Sequence, residues 1–501
     1  MNTLDWIGKW AAYTPDKVAV TCYSNNEKYT YEQLHLYANR LALQLQKLGF
    51  YEGDRVAVLA EHGPEYIVLF SACQRLGLIL VALNYRMSSN DLKKLWGDCS
   101  PKILFYSLAQ KTKLEELGDN VKYKATIESL KSLYLSGDFS GFPEYNINEN
   151  NPLFIFYTSG TTGTPKGVVY TNKMLFWNSL NTSMQLGITF RDSTLNVLPP
   201  YHTSGWNIFI TPLLHKGGHV GMLSKFDPDV TLRLMEQEKV TLFMGLPTML
   251  QMMQKSRVYK EVSLGRLRYI ISGGEKVNEL LVSDWNREKG IFIRPGYGLT
   301  EAGPSITSLH HKMSLIKPNS IGKPNFYLEV KIVNDKNELV KYNEIGELCV
   351  KGDIVTPGYW NNSNATKDKI RGGWLHTGDL AYEDKDGFLY LKGRKDDMYI
   401  SGGENIYPQE VEDVLERIDG VARASVFGVE DEQWGYCGIA FIEIKNNGVT
   451  VEGVREYLRK NMTRYKHPKH IFVMEDIPLT SLSKVSRKKL RQYYSSLKIE
   501  V

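Results

Sequence analysis

The sequence predicts an α/β protein with a large N-terminal domain of layered α/β subdomains and a small α+β C-terminal domain. Apolar strand-like runs alternate with amphipathic helical stretches through about the first 390 residues. After Gly393 this rhythm gives way to a short, mixed succession of helices and strands. At 501 residues, the chain is also longer than one hydrophobic core usually supports, which favours more than one domain.

The alternation is clearest in two stretches of the large domain. In the first, a strand over Val56 to Leu59 precedes a helix over Tyr66 to Leu76. In the second, a strand over Thr241 to Met244 is followed by an amphipathic segment and by another strand over Leu267 to Ile271. Because a strand, helix, strand order is typical of βαβ units, we expect a largely parallel sheet.

The predicted small domain begins near Asp396, which places the domains at residues 1–395 and 396–501. Its pattern changes between helix and strand every ten residues or so, as in a compact α+β unit of roughly 100 residues. Its predicted elements are a helix from Pro408 to Arg417, a strand from Ala424 to Val429, a strand from Gly438 to Ile444, a helix from Val451 to Lys460 and a strand from Ile471 to Met474.

The composition excludes several classes of protein. Lys and Arg number 61 against 56 Asp and Glu, a balance too even for a nucleic-acid-binding surface. The five cysteines are scattered without a CxxC pair, which indicates a reducing compartment. Because Met1 to Lys9 lacks a secretory pattern and no apolar run approaches the roughly 18 residues of a membrane span, we expect a cytoplasmic protein. A homodimer remains open.

The strongest chemical signal is the run Tyr157-Thr-Ser-Gly-Thr-Thr-Gly-Thr-Pro-Lys-Gly167, which follows a strand-like segment. Its glycines let successive backbone amides face one anion, its hydroxyls add donors, and Lys166 supplies a cation. A Walker A loop would have Gly before the lysine and Ser or Thr after it, whereas here Pro165 precedes Lys166 and a strand follows. A flexible surface turn would explain only a shorter stretch. The run therefore indicates phosphate binding outside the Walker class.

This loop resembles the signature of the adenylate-forming superfamily, which includes acyl-CoA synthetases, luciferases and peptide-synthetase adenylation domains. Gly296-Tyr-Gly-Leu-Thr-Glu301 is similar to the second nucleotide motif of that family. The resemblance implies that Tyr297 lies against adenine, that Thr300 lies near the α-phosphate and that Glu301 faces Mg²⁺. Oxygen ligands of this kind suit a hard cation that keeps waters and phosphate oxygens in its shell.

Further segments resemble the same family. Asp379, in Trp374-Leu-His-Thr-Gly-Asp379, and Arg394 resemble its ribose pair, since a carboxylate can accept both ribose hydroxyls. Asp396 falls at its hinge, and Gly402 and Gly403 resemble the loop that faces its thiol channel. The residues that the resemblance places at ATP or CoA are Thr158, Ser159, Gly160, Thr161, Thr162, Gly163, Lys166, Gly274, Glu275, Gly296, Tyr297, Gly298, Asp379, Arg394, Gly402 and Gly403.

Lys484 corresponds, by resemblance, to the family's catalytic lysine, a cation between the substrate carboxylate and the α-phosphate. The family usually has Gly before this lysine, whereas this chain has Ser483, which puts the local turn in doubt more than the lysine. On composition alone, Lys484 belongs to a basic stretch that would also fit a solvated helix face. Its role is therefore implied by the other motifs.

The segment from Pro200 to Asn207 resembles the family's fourth motif, which implies that His202 is a site residue near the acyl carboxylate. Without that context, His202 would equally suit a satisfied core or turn histidine. The pocket walls would then be Trp206, Met244, Gly245, Leu246 and residues 272–274. These residues are apolar or small and include no cation for a second carboxylate, which disfavours dicarboxylic acids.

The resemblance runs from about Thr30 to Leu490 and implies an ATP-dependent acyl-CoA synthetase that requires ATP, Mg²⁺ and coenzyme A. A small-molecule carboxylic acid would give acyl-AMP and pyrophosphate, and CoA would then give acyl-CoA and AMP. Because residues 206–218 most resemble fatty-acyl and feruloyl-type ligases, we expect a medium- or long-chain fatty acid or an aryl acid. One alternative is a free-standing adenylation enzyme that loads a carrier protein. Another is a non-catalytic nucleotide-binding regulator, which the presence of all the charged motif residues disfavours.

Overall fold

The computed structural model describes residues 3–117, 123–136, 144–158, 165–275, 277–445, 448–480 and 485–497. By its internal contacts the chain divides into two compact units. The larger unit comprises Met1–Val330 and Val350–His376, and the smaller comprises Lys331–Cys349 and Thr377–Val501. The larger unit is layered α/β and the smaller is α+β, which confirms the predicted fold class.

The first part of the chain forms the βαβ unit that the sequence predicts. α3 begins with Pro64, whose ring suits the first helical position, and it ends at Gly77 in the left-handed conformation, with φ of 67°. In residues 3–136 the helices are α1 (Trp6–Tyr13), α2 (Tyr31–Lys47), α3 (Pro64–Leu76), α4 (Ser89–Cys99), α5 (Lys111–Leu117) and α6 (Ile127–Leu135), and the strands are β1 (Val18–Cys22), β2 (Glu27–Thr30), β3 (Arg55–Leu59), β4 (Ile79–Ala82), β5 (Ile103–Tyr106) and β6 (Lys124–Thr126).

The middle of the chain continues the alternation of strands and helices. Lys166 begins a strand, as predicted for the segment after the hydroxyl-rich loop. The helices here are α7 (Asn172–Leu186), α8 (Ser204–Asn207), α9 (Ile210–Lys216), α10 (Pro228–Gln237), α11 (Pro247–Lys255), α12 (Val258–Glu261), α13 (Glu279–Lys289) and α14 (Ser363–Lys369). The strands are β7 (Pro152–Thr158), β8 (Lys166–Thr171), β9 (Ser193–Asn196), β10 (His219–Met222), β11 (Leu242–Met244), β12 (Tyr269–Ser272), β13 (Ile293–Tyr297), β14 (Thr307–Ser308), β15 (Ser320–Pro324), β16 (Glu329–Val333), β17 (Gly346–Lys351), β18 (Ile370–Arg371) and β19 (Trp374–Glu383).

The larger unit contains two largely parallel sheets, as the sequence predicts. One has the strand order β6-β5-β3-β4-β7-β8 and is parallel up to β7, which pairs antiparallel with β8. The other includes β13-β12-β11-β9-β10-β1-β2 and is parallel from β13 to β1. Because strands β9, β11, β12 and β13 run in the same direction, the loops that follow them leave from one edge of the sheet.

The smaller unit has its own sheet and core. β23 (Val421–Asp431) pairs antiparallel with β24 (Gly435–Ile444), and β24 pairs parallel with β25 (His470–Met474). Its core joins this sheet to two helices through Val411, Leu415, Val426, Ile442 and Leu458, which are almost entirely buried. The remaining strands are β20 (Leu389–Arg394), β21 (Tyr399–Ser401), β22 (Glu404–Ile406), β23 (Val421–Asp431), β24 (Gly435–Ile444) and β25 (His470–Met474), and the helices are α15 (Pro408–Leu415), α16 (Val451–Asn461) and α17 (Arg487–Leu497).

Helix α3 is the clearest example of a core helix, because its residues Pro64 to Arg75 are all buried. Its 13 residues are nevertheless too few for a bilayer span. Across the described ranges, no helix combines the length and the apolar character that a membrane crossing requires.

Candidate active site

One edge of the parallel sheet gathers several of the predicted site residues. The segment with His202 follows β9, Gly274 and Glu275 follow β12, and Tyr297 ends β13. Ligands of open α/β sheets bind outside the carboxyl ends of the strands. The fold therefore brings the predicted acyl motif and the second nucleotide motif to the same edge.

At the carboxyl ends of β12 and β13, other backbone atoms lie so close to two glycines that a side chain would not fit there. A Cβ atom added to Gly273 would lie 2.7 Å from the carbonyl oxygen of Gly296, and one added to Gly298 would lie 2.2 Å from the carbonyl carbon of Pro304. Beside them, the buried hydroxyl of Ser272 has no hydrogen-bond partner among the described residues. Bare backbone and an unpaired hydroxyl suit the close approach of a phosphate-bearing ligand.

Glu301 is held from two sides. Its backbone carbonyl accepts a hydrogen bond of 2.8 Å from the amide of Thr356, and its Oε1 accepts one of 2.8 Å from the hydroxyl of Tyr359. Thr300 and Glu301 lie in a short 3-10 turn directly after the end of β13. The carboxylate is thereby fixed at the strand edge, and an oxygen ligand in this position fits Mg²⁺.

Lys166 also contacts Tyr359. Its ammonium lies 5.6 Å from the centre of the Tyr359 ring, within the range of a cation–π interaction. The neighbouring backbone is fixed as well, because the amide of Trp360 donates a hydrogen bond of 2.7 Å to the carbonyl of Gly167. Tyr359 thus joins the lysine of the first motif to the glutamate of the second. Sequence reasoning missed this residue, since it lies in no motif and its role comes from a long-range contact.

The strands that flank the hydroxyl-rich loop are well defined. Thr158 ends β7 and pairs with Lys166 at the start of β8. Tyr157 donates a hydrogen bond of 2.6 Å to Asp98, which fixes the end of β7. The predicted phosphate-binding residues Ser159, Gly160, Thr161, Thr162 and Gly163 lie outside the described residues.

The predicted acyl motif forms a tight turn and a short helix. The carbonyl of His202 accepts a hydrogen bond of 3.0 Å from the amide of Gly205. A Cβ atom at Gly205 would lie 2.2 Å from the carbonyl oxygen of Pro199, so this turn requires glycine. His202 is half-buried, and its ring centre lies 4.7 Å from that of Tyr201.

Trp206 lies deeper than a pocket wall would require. Its side chain has 0% exposure and packs against Phe70, Phe154 and His62, with ring centres 5.0 to 5.6 Å apart. Its indole N–H donates a hydrogen bond of 2.8 Å to the carbonyl of Pro200. Burial lowers the pKa of His62 to about 3, so this histidine stays neutral in the aromatic cluster. Trp206 therefore anchors the predicted acyl motif to the aromatic core.

The other predicted pocket residues lie at the carboxyl ends of β11 and β12. Met244 is buried, and Leu246 is half-buried. Gly274 is exposed, with φ of 82°, and a Cβ atom there would lie 3.5 Å from the Leu246 side chain. Apolar side chains therefore lie next to the glycine-rich turn at this edge of the sheet.

The predicted ribose pair belongs to the smaller unit. Asp379 on β19 lies opposite Arg394 on β20, and Nη1 of Arg394 donates a hydrogen bond of 2.9 Å to Oδ1 of Asp379. The amide of Asp379 donates one of 3.0 Å to the hydroxyl of Thr377. The side chain of Asp379 is 13% exposed, which suits a carboxylate with one accessible edge.

Gly402 and Gly403 form the turn between β21 and β22, with φ of 57° and 85°. The amide of Gly402 donates a hydrogen bond of 2.9 Å to the carbonyl of Trp434, and a Cβ atom at Gly402 would lie 2.9 Å from the Trp434 ring. Lys484 lies outside the described residues, as does Ser483. The structure describes Lys484's flanking segments, in which Leu479 pairs with Val485.

Comparison with known proteins identifies the family. The model for AMP-binding enzymes matches residues 7–360, and the model for the AMP-binding enzyme C-terminal domain matches residues 410–484. The chain therefore belongs to the AMP-binding, adenylate-forming enzymes. Within them it is an AMP-forming acid–thiol ligase that uses ATP, Mg²⁺ and CoA.

Three similar proteins are named after three different acids. The chain is 32% identical to an indoleacetate–CoA ligase of Aromatoleum aromaticum, with 98% of each chain covered. It is 32% identical to a feruloyl-CoA synthase of an Amycolatopsis species, with 97% of this chain and 99% of the relative covered. Among solved structures, o-succinylbenzoate CoA synthetase of Bacillus subtilis with its acyl-adenylate intermediate shares 30% identity and a TM-score of 0.88, with 97% of each chain covered. That synthetase has also been solved with ATP and magnesium ion.

Proposed function

We propose that the substrate of this acid–thiol ligase is a monocarboxylic acid with an apolar acyl part, either a medium- or long-chain fatty acid or an aryl acid. The observation that carries the proposal is the apolar carboxyl end of β11, where Met244 and Leu246 lie beside the end of the neighbouring strand β12 and its glycine-rich turn. Such a surface favours an uncharged chain or ring. The indoleacetate and feruloyl relatives support an aryl acid.

In the first half-reaction, a carboxylate oxygen attacks the α-phosphorus of ATP. The bond from that phosphorus to the bridging oxygen breaks, and pyrophosphate leaves with the electron pair. Bound Mg²⁺ supplies charge neutralisation on the phosphate oxygens. We assign Glu301 to hold this ion, Tyr297 to the adenine, and Thr300 and Lys484 to the α-phosphate.

The hydroxyl-rich loop from Thr158 to Lys166 donates to the leaving phosphates, and Asp379 with Arg394 binds the ribose. His202 lies next to the acyl carboxylate. No side-chain nucleophile is required, because the acid is itself the nucleophile and the site contributes positioning and charge stabilisation.

In the second half-reaction, the sulfur of CoA attacks the acyl carbon and the bond to the AMP oxygen breaks. The thiol proton passes to solvent, and AMP departs as an anion with the electron pair of the broken bond. We propose that residues 396–501 turn about Asp396 between the half-reactions, so that Gly402 and Gly403 replace Lys484 at the acyl-adenylate. The domains would then be residues 1–395 and 396–501.

Pyrophosphate release across a panel of acids tests the substrate class. The panel contains fatty acids of increasing length, arylacetic and cinnamic acids, short acids and dicarboxylic acids, each with and without CoA. The proposal expects the highest kcat/KM with an apolar fatty or aryl acid, and CoA-dependent release of AMP. The highest kcat/KM with a dicarboxylic acid would contradict it, and AMP release that requires a phosphopantetheinyl carrier protein would favour the carrier-loading alternative.

A further inference from the structure

Arg487 bridges two carboxylates inside the smaller unit. Its Nη1 donates a hydrogen bond of 2.6 Å to Oδ2 of Asp397, and its Nη2 donates one of 2.6 Å to Oε1 of Glu412. The side chains of Arg487 and Asp397 are each 28% exposed, and that of Glu412 is 7% exposed. Charge-assisted hydrogen bonds this short, and partly shielded from water, are among the stronger polar contacts in proteins.

Glu412 gives this bridge a fixed end. It lies in α15, and its Oε1 also accepts a hydrogen bond of 2.7 Å from the amide of Val426 in β23. Burial raises the pKa of the Glu412 carboxyl, and the charge of Arg487 opposes that shift. The guanidinium is therefore anchored to the core of the smaller unit and reaches outward to Asp397.

The contact between Arg487 and Asp397 joins two segments that the proposed mechanism uses. Asp397 directly follows Asp396, the proposed hinge residue. Arg487 begins α17 shortly after Lys484 in the sequence, and Leu479 pairs with Val485, which directly follows Lys484. The amide of Ser486 also donates a hydrogen bond of 2.8 Å to the carbonyl of Pro478. One side chain thus connects the segment after the proposed hinge to the segment that directly follows Lys484.

We propose that Arg487 is a positioning residue for acyl-adenylate formation, which holds the segment that directly follows Lys484 in a fixed relation to the segment that follows Asp396. The inference rests on the proposed roles of Lys484 and Asp396. The planar guanidinium can donate to both carboxylates at once, whereas a lysine would offer a single charged point. The contact to Asp397 is therefore specific to arginine.

Asp397→Asn is the cleaner test variant, because it weakens the contact to the hinge segment and leaves the pair between Arg487 and Glu412 in place. Arg487→Gln removes both charge-assisted contacts. Arg487→Lys measures how much activity a positive charge restores without the planar guanidinium. Arg491→Gln is the matched control. Arg491 docks the same helix by donating a hydrogen bond of 2.9 Å to the carbonyl of Gly428, and it stacks over Phe427.

Each variant is measured as the full chain in two assays: acid-dependent pyrophosphate release, and thioester formation from supplied acyl-AMP and CoA. Because a small misplacement of a catalytic group can cost about 100-fold in rate, we expect Asp397→Asn and Arg487→Gln to lower kcat for pyrophosphate release about 10- to 100-fold. The KM for ATP should stay near its wild-type value, and so should the rate of thioester formation from supplied acyl-AMP. The double variant Asp397→Asn/Arg487→Gln should lose little more kcat than Arg487→Gln alone, because both substitutions remove the same contact between Arg487 and Asp397.

Equal loss in both half-reactions, an unchanged kcat, or an equally large and selective loss in Arg491→Gln would overturn the inference. Lys484→Ala, assayed in parallel, separates this failure from that of the proposed function. If Lys484→Ala abolishes pyrophosphate release while Asp397→Asn does not change it, only the role of Arg487 is wrong. If Lys484→Ala leaves pyrophosphate release intact, the proposed role of Lys484 is itself wrong.

Discussion

The hydroxyl of Tyr359 donates a hydrogen bond of 2.8 Å to Oε1 of Glu301. The same ring has the Lys166 ammonium 5.6 Å from its centre. One aromatic side chain therefore contacts both the carboxylate proposed to face Mg²⁺ and the cation proposed to face the phosphates. This arrangement makes Tyr359 a partner that orients Glu301, because a carboxylate with one oxygen already bonded presents the other in a defined direction.

Tyr359→Phe should weaken the response to Mg²⁺. The substitution keeps the ring beside Lys166 and removes the hydroxyl that orients Glu301. Loss of an outer hydrogen bond to a metal ligand typically costs about 10- to 100-fold in metal affinity, so the Mg²⁺ concentration for half-maximal pyrophosphate release should rise about tenfold.

Tyr145→Phe is a matched control for that experiment. Tyr145 donates a hydrogen bond of 2.6 Å to the carboxylate of Asp5, and neither residue is assigned to the proposed site. Its loss should lower stability and leave the Mg²⁺ dependence unchanged. A wild-type Mg²⁺ response in Tyr359→Phe would show that Glu301 does not depend on this tyrosine.

Asp379→Asn should reduce discrimination between ATP and 2′-deoxy-ATP. The wild-type carboxylate can accept hydrogen bonds from both ribose hydroxyls, whereas an amide offers one accepting oxygen. Removal of one hydrogen-bonding partner from a polar recognition site costs about 1 to 3 kcal/mol. The kcat/KM of the wild-type enzyme should therefore be about tenfold higher with ATP than with 2′-deoxy-ATP. The variant should show a ratio close to one. An unchanged ratio in the variant would refute the ribose role of Asp379.

Gly298→Ala should strongly reduce the rate of adenylation. The added Cβ atom would lie 2.2 Å from the carbonyl carbon of Pro304, so the backbone that carries Thr300 and Glu301 must shift. We expect at least about a 100-fold fall in pyrophosphate release, because displacement by about 1 Å can have that effect. Gly97→Ala is the control, since nothing lies within 4 Å of a Cβ atom there and alanine favours helix α4. Equal activity of the two variants would contradict the expectation.

Asp5→Asn should destabilise the larger unit. Asp5 forms a buried ion pair of 3.2 Å with Arg75, and their side chains are 1% and 0% exposed. Breaking a buried pair by removal of one charge costs about 3 to 5 kcal/mol in the free energy of unfolding, measurable by denaturant titration. Asp91 forms an exposed ion pair of 3.4 Å with Lys94. Asp91→Asn is therefore the exposed counterpart, and it should change the free energy of unfolding by less than about 1 kcal/mol.

The same pair gives a pH dependence. Burial alone would raise the pKa of Asp5, but Arg75 and Tyr145 hold it below its usual range. A depressed pKa in the folded state contributes stability above the unfolded value of about 3.9, and this contribution is lost as the pH falls through the folded value. The stability difference between wild type and Asp5→Asn should therefore be full at neutral pH and shrink in acid. A constant difference would mean that Asp5 does not titrate as described.

Local patterns predicted helices and strands of both units well. The predicted helix over Tyr66 to Leu76 is observed over Pro64–Leu76, and the predicted strand over Gly438 to Ile444 is observed over Gly435–Ile444. These elements follow from periodicity, helix-capping residues and turns, which act over a few residues. Their ends differ by a few residues because hydrogen bonding continues past the apolar pattern.

Contacts between distant segments could not be predicted in this way. Tyr359 lies in no motif, and only the folded chain brings its hydroxyl to Glu301. Trp206 lies in a recognisable local motif, but its burial against Phe70 and Phe154 depends on packing against the sheet that contains β7. Likewise, nothing local indicates that residues 331–349 belong to the compact unit formed mainly by the C-terminal part of the chain.

The most direct test of the central claim is the fate of carboxylate oxygen. A substrate acid labelled with ¹⁸O in both carboxylate oxygens is converted completely to acyl-CoA, and the products are analysed by mass spectrometry. If the carboxylate attacks the α-phosphorus, AMP must carry one ¹⁸O atom and pyrophosphate none. Label in pyrophosphate or inorganic phosphate, or unlabelled AMP, would contradict activation through an acyl-adenylate.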